Sequence, residues 1–255
     1  MLNNDLVADL KRLRLPAMAD NLDLRVREAQ SNKLGYLEFA ALLLQDELAS
    51  RESNSFQKRL RAAGVCSRMT FESFDFEFNS AVLPAQTVRD IAACRFIEQQ
   101  RNLVIAGPPG IGKSHIAQAL GHQAARRGLD VVFSKTHKLL ERLAPERLSP
   151  RRSQILLKRC LSAGLLVLDD FAFRLYNQRE TELLYTLCDE RLSEGSIVVT
   201  SNRPPEDWFS VFPDPVVGGA VMDRLVSGAV KLIVTSGRSF RKEGADQQAL
   251  QEASA

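Results

Sequence analysis

The chain has 255 residues, 45% hydrophobic and 25% charged, with a formal net charge of +3. That balance is ordinary for a soluble globular protein of one nucleotide-domain size plus a smaller piece. No apolar run approaches the length needed to span a membrane, and the scattered Cys66, Cys94, Cys160 and Cys188 suggest neither a zinc site nor a disulfide framework.

His115, His122 and His137 form no ligand cluster either. Residues 1–5 show no basic stretch followed by an apolar one, so no signal peptide is expected. A reducing cytoplasm is the expected location.

Residues 2–62 are predicted to be mostly helical. Leu6, Leu10 and Leu13 form one stripe, interrupted by Pro16. Met18, Leu22 and Val26 form a second, and Leu37, Ala41, Leu44 and Leu48 a third. The stretch Phe71-Glu72-Ser73-Phe74-Asp75-Phe76-Glu77-Phe78 alternates apolar and polar residues. It fits either an extended segment docked on the next domain or a simple edge strand. The expected division is a helical domain over 1–70, a linker over 71–83, an α/β domain over 84–241 and a frayed polar tail over 242–255.

From Pro84 onward helices and strands alternate. A helix headed by Pro84 carries Val88, Ile91 and Phe96. Strands are predicted at 103–106, 131–133, 165–168, 197–200 and 230–234. Helices are predicted at 113–127, 136–144, 151–162, 178–193 and near 218–227. Short apolar strands alternating with helices imply a parallel sheet covered on both faces, with ligands at the carboxyl ends of the strands.

The first strand end carries Gly107-Pro108-Pro109-Gly110-Ile111-Gly112-Lys113-Ser114, the full G-x-x-x-x-G-K-[ST] phosphate loop. Its glycines let the backbone wrap a phosphate chain, and its N–H groups form an anion nest at a helix N-terminus. Lys113 would reach the β- and γ-phosphates, and the Ser114 hydroxyl would ligate Mg²⁺. The third strand ends in Asp169-Asp170. Asp169 is expected to hold Mg²⁺ and Asp170 to polarise the attacking water; the alternative is two acids ending a strand in solvent. Asn202, in Thr200-Ser201-Asn202-Arg203-Pro204, is placed to bond the γ-phosphate or the water, or else to start a turn. Arg224, in Asp223-Arg224-Leu225, suits an arginine finger acting in trans.

Together these residues resemble AAA+ ATPases of the initiator and helicase-loader branch, and more closely the IstB family of insertion-sequence helper ATPases. The match runs from Leu10-Lys11-Arg12-Leu13-Arg14-Leu15-Pro16-Ala17-Met18 through Phe74-Asp75-Phe76. It continues through the loop with His115, Leu168-Asp169-Asp170-Phe171, Asp223-Arg224-Leu225-Val226 and Gly237-Arg238-Ser239-Phe240-Arg241. The resemblance implies a three-layer P-loop fold and an ATPase with ATP and Mg²⁺ as cofactors. It also implies homo-oligomers with ATP at subunit interfaces, assembly on duplex DNA, and a cognate transposase as partner. Arg241 is implied as a nucleotide sensor, with a structural salt bridge as the alternative. Ser114 stands where Thr is commoner and keeps the hydroxyl at little cost. Asp170 stands where many AAA+ proteins carry Glu, although the IstB-like group often has Asp, and its shorter side chain implies slow hydrolysis. Ser227 and Gly228 stand where a His is expected. The short chain after Arg241 implies no full helical lid.

Two basic groups are candidate DNA contacts. One is Lys135, Lys138, Arg142, Arg147, Arg151, Arg152, Lys158 and Arg159, opposed by Glu141 and Glu146. The other is Arg51, Lys58, Arg59, Arg61 and Arg68. Singly, each fits a solvated face. The few Tyr and the one Trp favour duplex over single strands. A helicase loader acting on single strands, and a nucleotide-gated adaptor with negligible hydrolysis, are the competing functions.

Overall fold

The computed structural model describes residues 2–144, 149–192 and 194–243. The chain divides into two compact units between Lys58 and Arg59, ahead of the boundary expected at residue 70.

The first unit holds α1 (Leu2–Arg12), α2 (Pro16–Asn32) and most of α3 (Tyr36–Ala63). Its core is Leu10, Ala19, Leu22 and Leu43, with Val7, Leu15, Met18, Val26 and Phe39 against it. The second helical stripe thus points inward, whereas in the first only Leu10 does and Leu6 and Leu13 are exposed. The third does not: Leu37, Leu44 and Leu48 are exposed, and α3 buries the face of Leu43 and Glu47 instead. Both faces of α3 carry apolar residues, so periodicity alone could not choose between them.

The second unit is built on five parallel strands: β1 (Leu103–Ala106), β2 (Val131–Lys135), β3 (Leu165–Asp169), β4 (Ser196–Ser201) and β5 (Val230–Ile233). Their order is β2-β3-β4-β1-β5. β1, β3 and β4 are buried along their whole length, as the apolar runs predict. α6 (Lys113–Arg126) follows β1. α7 (Thr136–Leu143) and α8 (Pro150–Ser162) follow β2, α9 (Gln178–Glu190) follows β3, and α10 (Pro215–Val226) precedes β5. The core on one side of the sheet joins Leu139, Leu140, Leu166, Leu168, Leu184, Val199, Trp208 and Leu225.

Two local expectations need correction. The helix after Pro84 is α4 (Ala85–Ala92), and it stops before Phe96. Cys94 adopts a left-handed conformation, with φ 54°, so Phe96 lies on the separate turn α5 (Arg95–Glu98). Residues 71–78 form turns and bends, not an edge strand. At the C-terminal end, the Lys242 and Glu243 amides bond back to the Ser239 carbonyl. The rest of the expected tail lies outside the described residues, as does Arg147.

Arg191 fixes the sheet to its helical cover without any carboxylate. It is 1% exposed. It donates to the carbonyls of Cys160 and Leu161, at the end of α8, and to that of Ser196 in β4. Burial pulls its guanidinium down to about 10. The helix end offers the partial negative charge that makes this position tolerable. Arg191→Met leaves those carbonyls without their donor. The relief of a buried charge offsets part of that loss. The expected net cost is about 2 kcal/mol, read as a fall of roughly 4–8 °C in Tm by calorimetry.

Candidate nucleotide site

A cavity of about 490 Å³ lies at the carboxyl ends of the strands in the second unit. The phosphate loop forms its floor. Gly107, Gly110 and Gly112 take φ of 155°, 86° and 102°, the left-handed region where a side chain is strained. At Gly110 crowding adds to strain: a Cβ there would meet Ser239 Oγ at 2.1 Å and Ser239 Cα at 2.8 Å. Gly110→Ala therefore pushes residues 237–241 off the loop. We expect ATP affinity to fall about tenfold, matching roughly 1–2 kcal/mol of strain, measured by titration calorimetry with a non-hydrolysable analogue.

Lys113 is buried, and its ammonium folds back to donate to the carbonyls of Gly107 and Pro108, both at 2.7 Å. Burial lowers its pKa to about 8, opposed by Asp170 and Asp169 and assisted by Arg241. Ser114 Oγ donates to Asp169 Oδ1 at 2.8 Å. Thr200 donates to the same oxygen, and Thr136 holds the Asp169 backbone carbonyl. A hydroxyl and a buried carboxylate in contact, all oxygen, fit a hard divalent cation. Ser114 and Asp169 are the two residues expected to hold Mg²⁺, and the fold brings their side chains into contact.

Asp170 sits one residue further out at φ 53°, a conformation that a non-glycine residue holds only under constraint. Its amide donates to Thr200 Oγ1 at 3.1 Å. Its carboxylate is taken by Lys135 Nζ at 2.6 Å. Lys135, grouped with the DNA contacts on sequence, is thereby engaged at the nucleotide site. Its place at the end of β2, opposite Asp169, follows from the pairing of β2 with β3, which the sequence does not disclose.

Asn202 and Arg241 also line the cavity. Arg224 does not. It lies on α10, and its side chain donates to Asp189 Oδ1 at 2.7 Å and to the Tyr185 hydroxyl at 3.2 Å. Its guanidinium also lies 4.7 Å from the centre of the Tyr185 ring.

The apolar wall comes from the phenylalanine segment. Phe74, Phe76 and Phe78 line the cavity together with Leu83 and Phe240. His115 holds this segment against α6: its Nε2 lies 2.9 Å from the Thr70 carbonyl, and its ring meets Phe74 edge-on. Asn79 clamps the segment to the far end of the unit. Its amide donates to the Arg238 carbonyl at 2.9 Å and its carbonyl accepts from the Arg238 amide at 2.8 Å. Phe78 and Phe240 meet edge-on at 5.0 Å beside that clamp. Nothing in the sequence singled out Asn79, because its partner is 159 residues away.

Among the candidate DNA residues, Lys138, Arg142, Arg151, Arg152 and Lys158 are exposed on α7 and α8. Arg159 is exposed and donates to the Ala62 carbonyl, and Arg59 donates to that of Ala125, so both also hold the end of α3. Arg61 is exposed, and Lys58 lies in the first unit.

The model of the IstB-like ATP binding proteins matches residues 8–248. The chain belongs to that family. A Mycobacterium tuberculosis ATP-binding protein in an insertion sequence is 39% identical over 233 residues, covering 91% of this chain and 92% of its own length. The Pseudomonas aeruginosa ATP-binding protein of insertion sequence IS21 is 32% identical over 232 residues, covering 91% and 86%. Among solved structures, the DnaC helicase loader superposes with a TM-score of 0.55 at 22% identity, covering 66% of this chain and 99% of that one. Aquifex aeolicus DnaA bound to AMPPCP gives a TM-score of 0.56 at 21% identity, covering 74% and 56%. The IstB-like chain thus has the α/β P-loop fold of these AAA+ proteins, preceded by a helical unit.

Proposed function

We propose that this IstB-like chain is an ATP-dependent helper of DNA transposition. It binds Mg²⁺-ATP in the cavity and assembles with further copies of itself on duplex DNA in the cytoplasm. In that state it stimulates the cognate transposase at the target. The observation that carries the reading is that the phosphate loop, Asp170 and Asn202 line one cavity, with Asp169 bonded to Ser114 beneath it, in a chain of an insertion-sequence family.

The cavity explains how the chain holds ATP. The loop amides and Lys113 take the phosphates. The phenylalanines give the base an apolar seat, where an edge-on or stacked ring is favoured. Ser114 and Asp169 would hold Mg²⁺, and the bound ion would supply positive charge against the phosphates. Asp170, once released by Lys135, accepts a hydrogen bond from the attacking water, and Asn202 orients it. Arg241 lines the same cavity, and we assign it to nucleotide sensing. Arg224 lies outside its own cavity, and we assign it to the γ-phosphate of an adjacent copy.

The exposed cations of α7 and α8 supply the DNA-facing surface. Their contacts are with phosphates, so binding is weakly sequence-specific and sensitive to salt. Duplex DNA should stimulate hydrolysis by the unaltered chain. In the double variant R151Q/R152Q the slope of log affinity against log salt should flatten by about 1.8, measured by fluorescence anisotropy. An unaltered slope would remove α8 from the interface. Hydrolysis that stays negligible with and without DNA would instead identify a nucleotide-gated adaptor.

A further inference from the structure

The first unit holds a second cleft, of about 610 Å³, where the end of α1, the start of α2 and one face of α3 meet. Its construction begins with Pro16. The N-terminus of α2 has no capping side chain of its own, because Leu15 occupies the cap position. Glu47 supplies the cap from α3: its carboxylate accepts from the amides of Ala17 at 2.9 Å and Met18 at 3.4 Å. Arg51 neutralises that carboxylate at 2.9 Å and donates onward to the Arg14 carbonyl at 2.8 Å. The one acid lining the cleft is therefore fully engaged.

Three cations remain. Lys11 comes from the end of α1, Arg14 from the turn before α2, where its φ is 60°, and Lys58 from α3. Among the described residues none of their charged groups has an ion-pair or hydrogen-bond partner. Like charges gathered without an acid repel one another, and an anion between them removes that cost. Ser50 and Asn54 add neutral polar groups on the same wall, with the Asn54 amide 3.4 Å from Ser50 Oγ. Beyond Glu47, the α3 wall from Ser50 to Lys58 spans eight residue steps, or about 12 Å of helix. That length matches about three phosphates of one strand at roughly 3.4 Å of rise each. Among the described residues no aromatic ring lines the cleft, so they offer no platform on which a base could stack.

We propose that this cleft is a phosphodiester-backbone site, a second anchor for duplex DNA built from Lys11, Arg14 and Lys58 and separate from the α7–α8 surface. It rests on the reading that the chain assembles on duplex DNA. It also changes which residues belong together: Lys58 works with Lys11 and Arg14, whereas Arg59 is turned to the Ala125 carbonyl of the second unit.

The test is the triple variant K11Q/R14Q/K58Q of the full chain, with ATP and a fluorescent duplex. Arg51 is left intact because it supports the cap of α2. Three lost phosphate contacts should lower the salt slope by about 2.7, while the thermal transition and ATP affinity stay as in the unaltered chain. K11R/K58R should keep the full slope. An unaltered slope in the triple variant, with the parent binding DNA normally, would overturn the cleft alone. Loss of transposase stimulation at a normal DNA slope would also overturn it, and would mark the cleft as a protein-docking surface. A parent that does not bind duplex DNA would overturn the proposed function itself, and the cleft's role with it.

Discussion

Lys113→Ala should abolish ATP binding while leaving the ligand-free protein folded. The lysine is buried, and burial disfavours its charge. What it gives the loop is two hydrogen bonds to backbone carbonyls. Its removal should therefore change the stability of the free protein by less than about 1 kcal/mol, since the lost bonds and the relieved desolvation oppose each other. Against phosphate the balance differs. A charge-assisted contact to a polyanion is worth about 3 kcal/mol, so affinity should drop at least 100-fold. Calorimetry with an ATP analogue, beside a thermal melt of the free protein, checks both halves. Tight binding by the variant would sink the phosphate-loop assignment.

The second large effect concerns Arg224. Arg224→Ala should lower hydrolysis by about 10³-fold, the scale of a missing arginine finger, with ATP affinity unchanged. Its own chain holds the side chain with Asp189 and Tyr185, which raises a purely structural explanation. Two measurements separate the roles. Mixing the Arg224→Ala and Lys113→Ala proteins should restore activity, because one supplies an ATP site and the other the arginine. Asp189→Ala should spare hydrolysis if Arg224 acts on a neighbouring site, and should mimic Arg224→Ala if the ion pair is its whole purpose. Mixed proteins that stay inactive would end the trans assignment.

The parts of this architecture that the sequence disclosed are those encoded by neighbours. The apolar runs at 103–106 and 165–168 announced buried parallel strands, and the loop after the first carries its chemistry in eight consecutive residues. Asp169 was legible for the same reason, since it closes a strand. Contacts made by folding were not legible. Lys135 looked like one of many exposed cations until β2 was placed beside β3. Phe74, Phe76 and Phe78 alternated as a strand would, yet Asp75 Oδ1 accepts from the Glu77 and Phe78 amides and bends the chain there. The exposed Leu37, Leu44 and Leu48 show the remaining ambiguity, because a helix with apolar residues all round does not declare its inner face.

The reciprocal bonds between Asn79 and Arg238 have a consequence for synthesis. They join two points near opposite ends of the second unit. The first unit has all its core residues within the first 43 positions and can condense while the ribosome is still making the sheet. The wall of the base seat cannot close until Arg238 and Phe240 have left the exit tunnel. Contacts of such long sequence separation form late, since their loop entropy must be met first. A nascent chain therefore exposes the phosphate-loop residues well before the strands and the segment that complete the cavity have been made. The cavity wall is complete only once the segment carrying Arg238 and Phe240 has emerged, and a translation product interrupted before Arg238 lacks it.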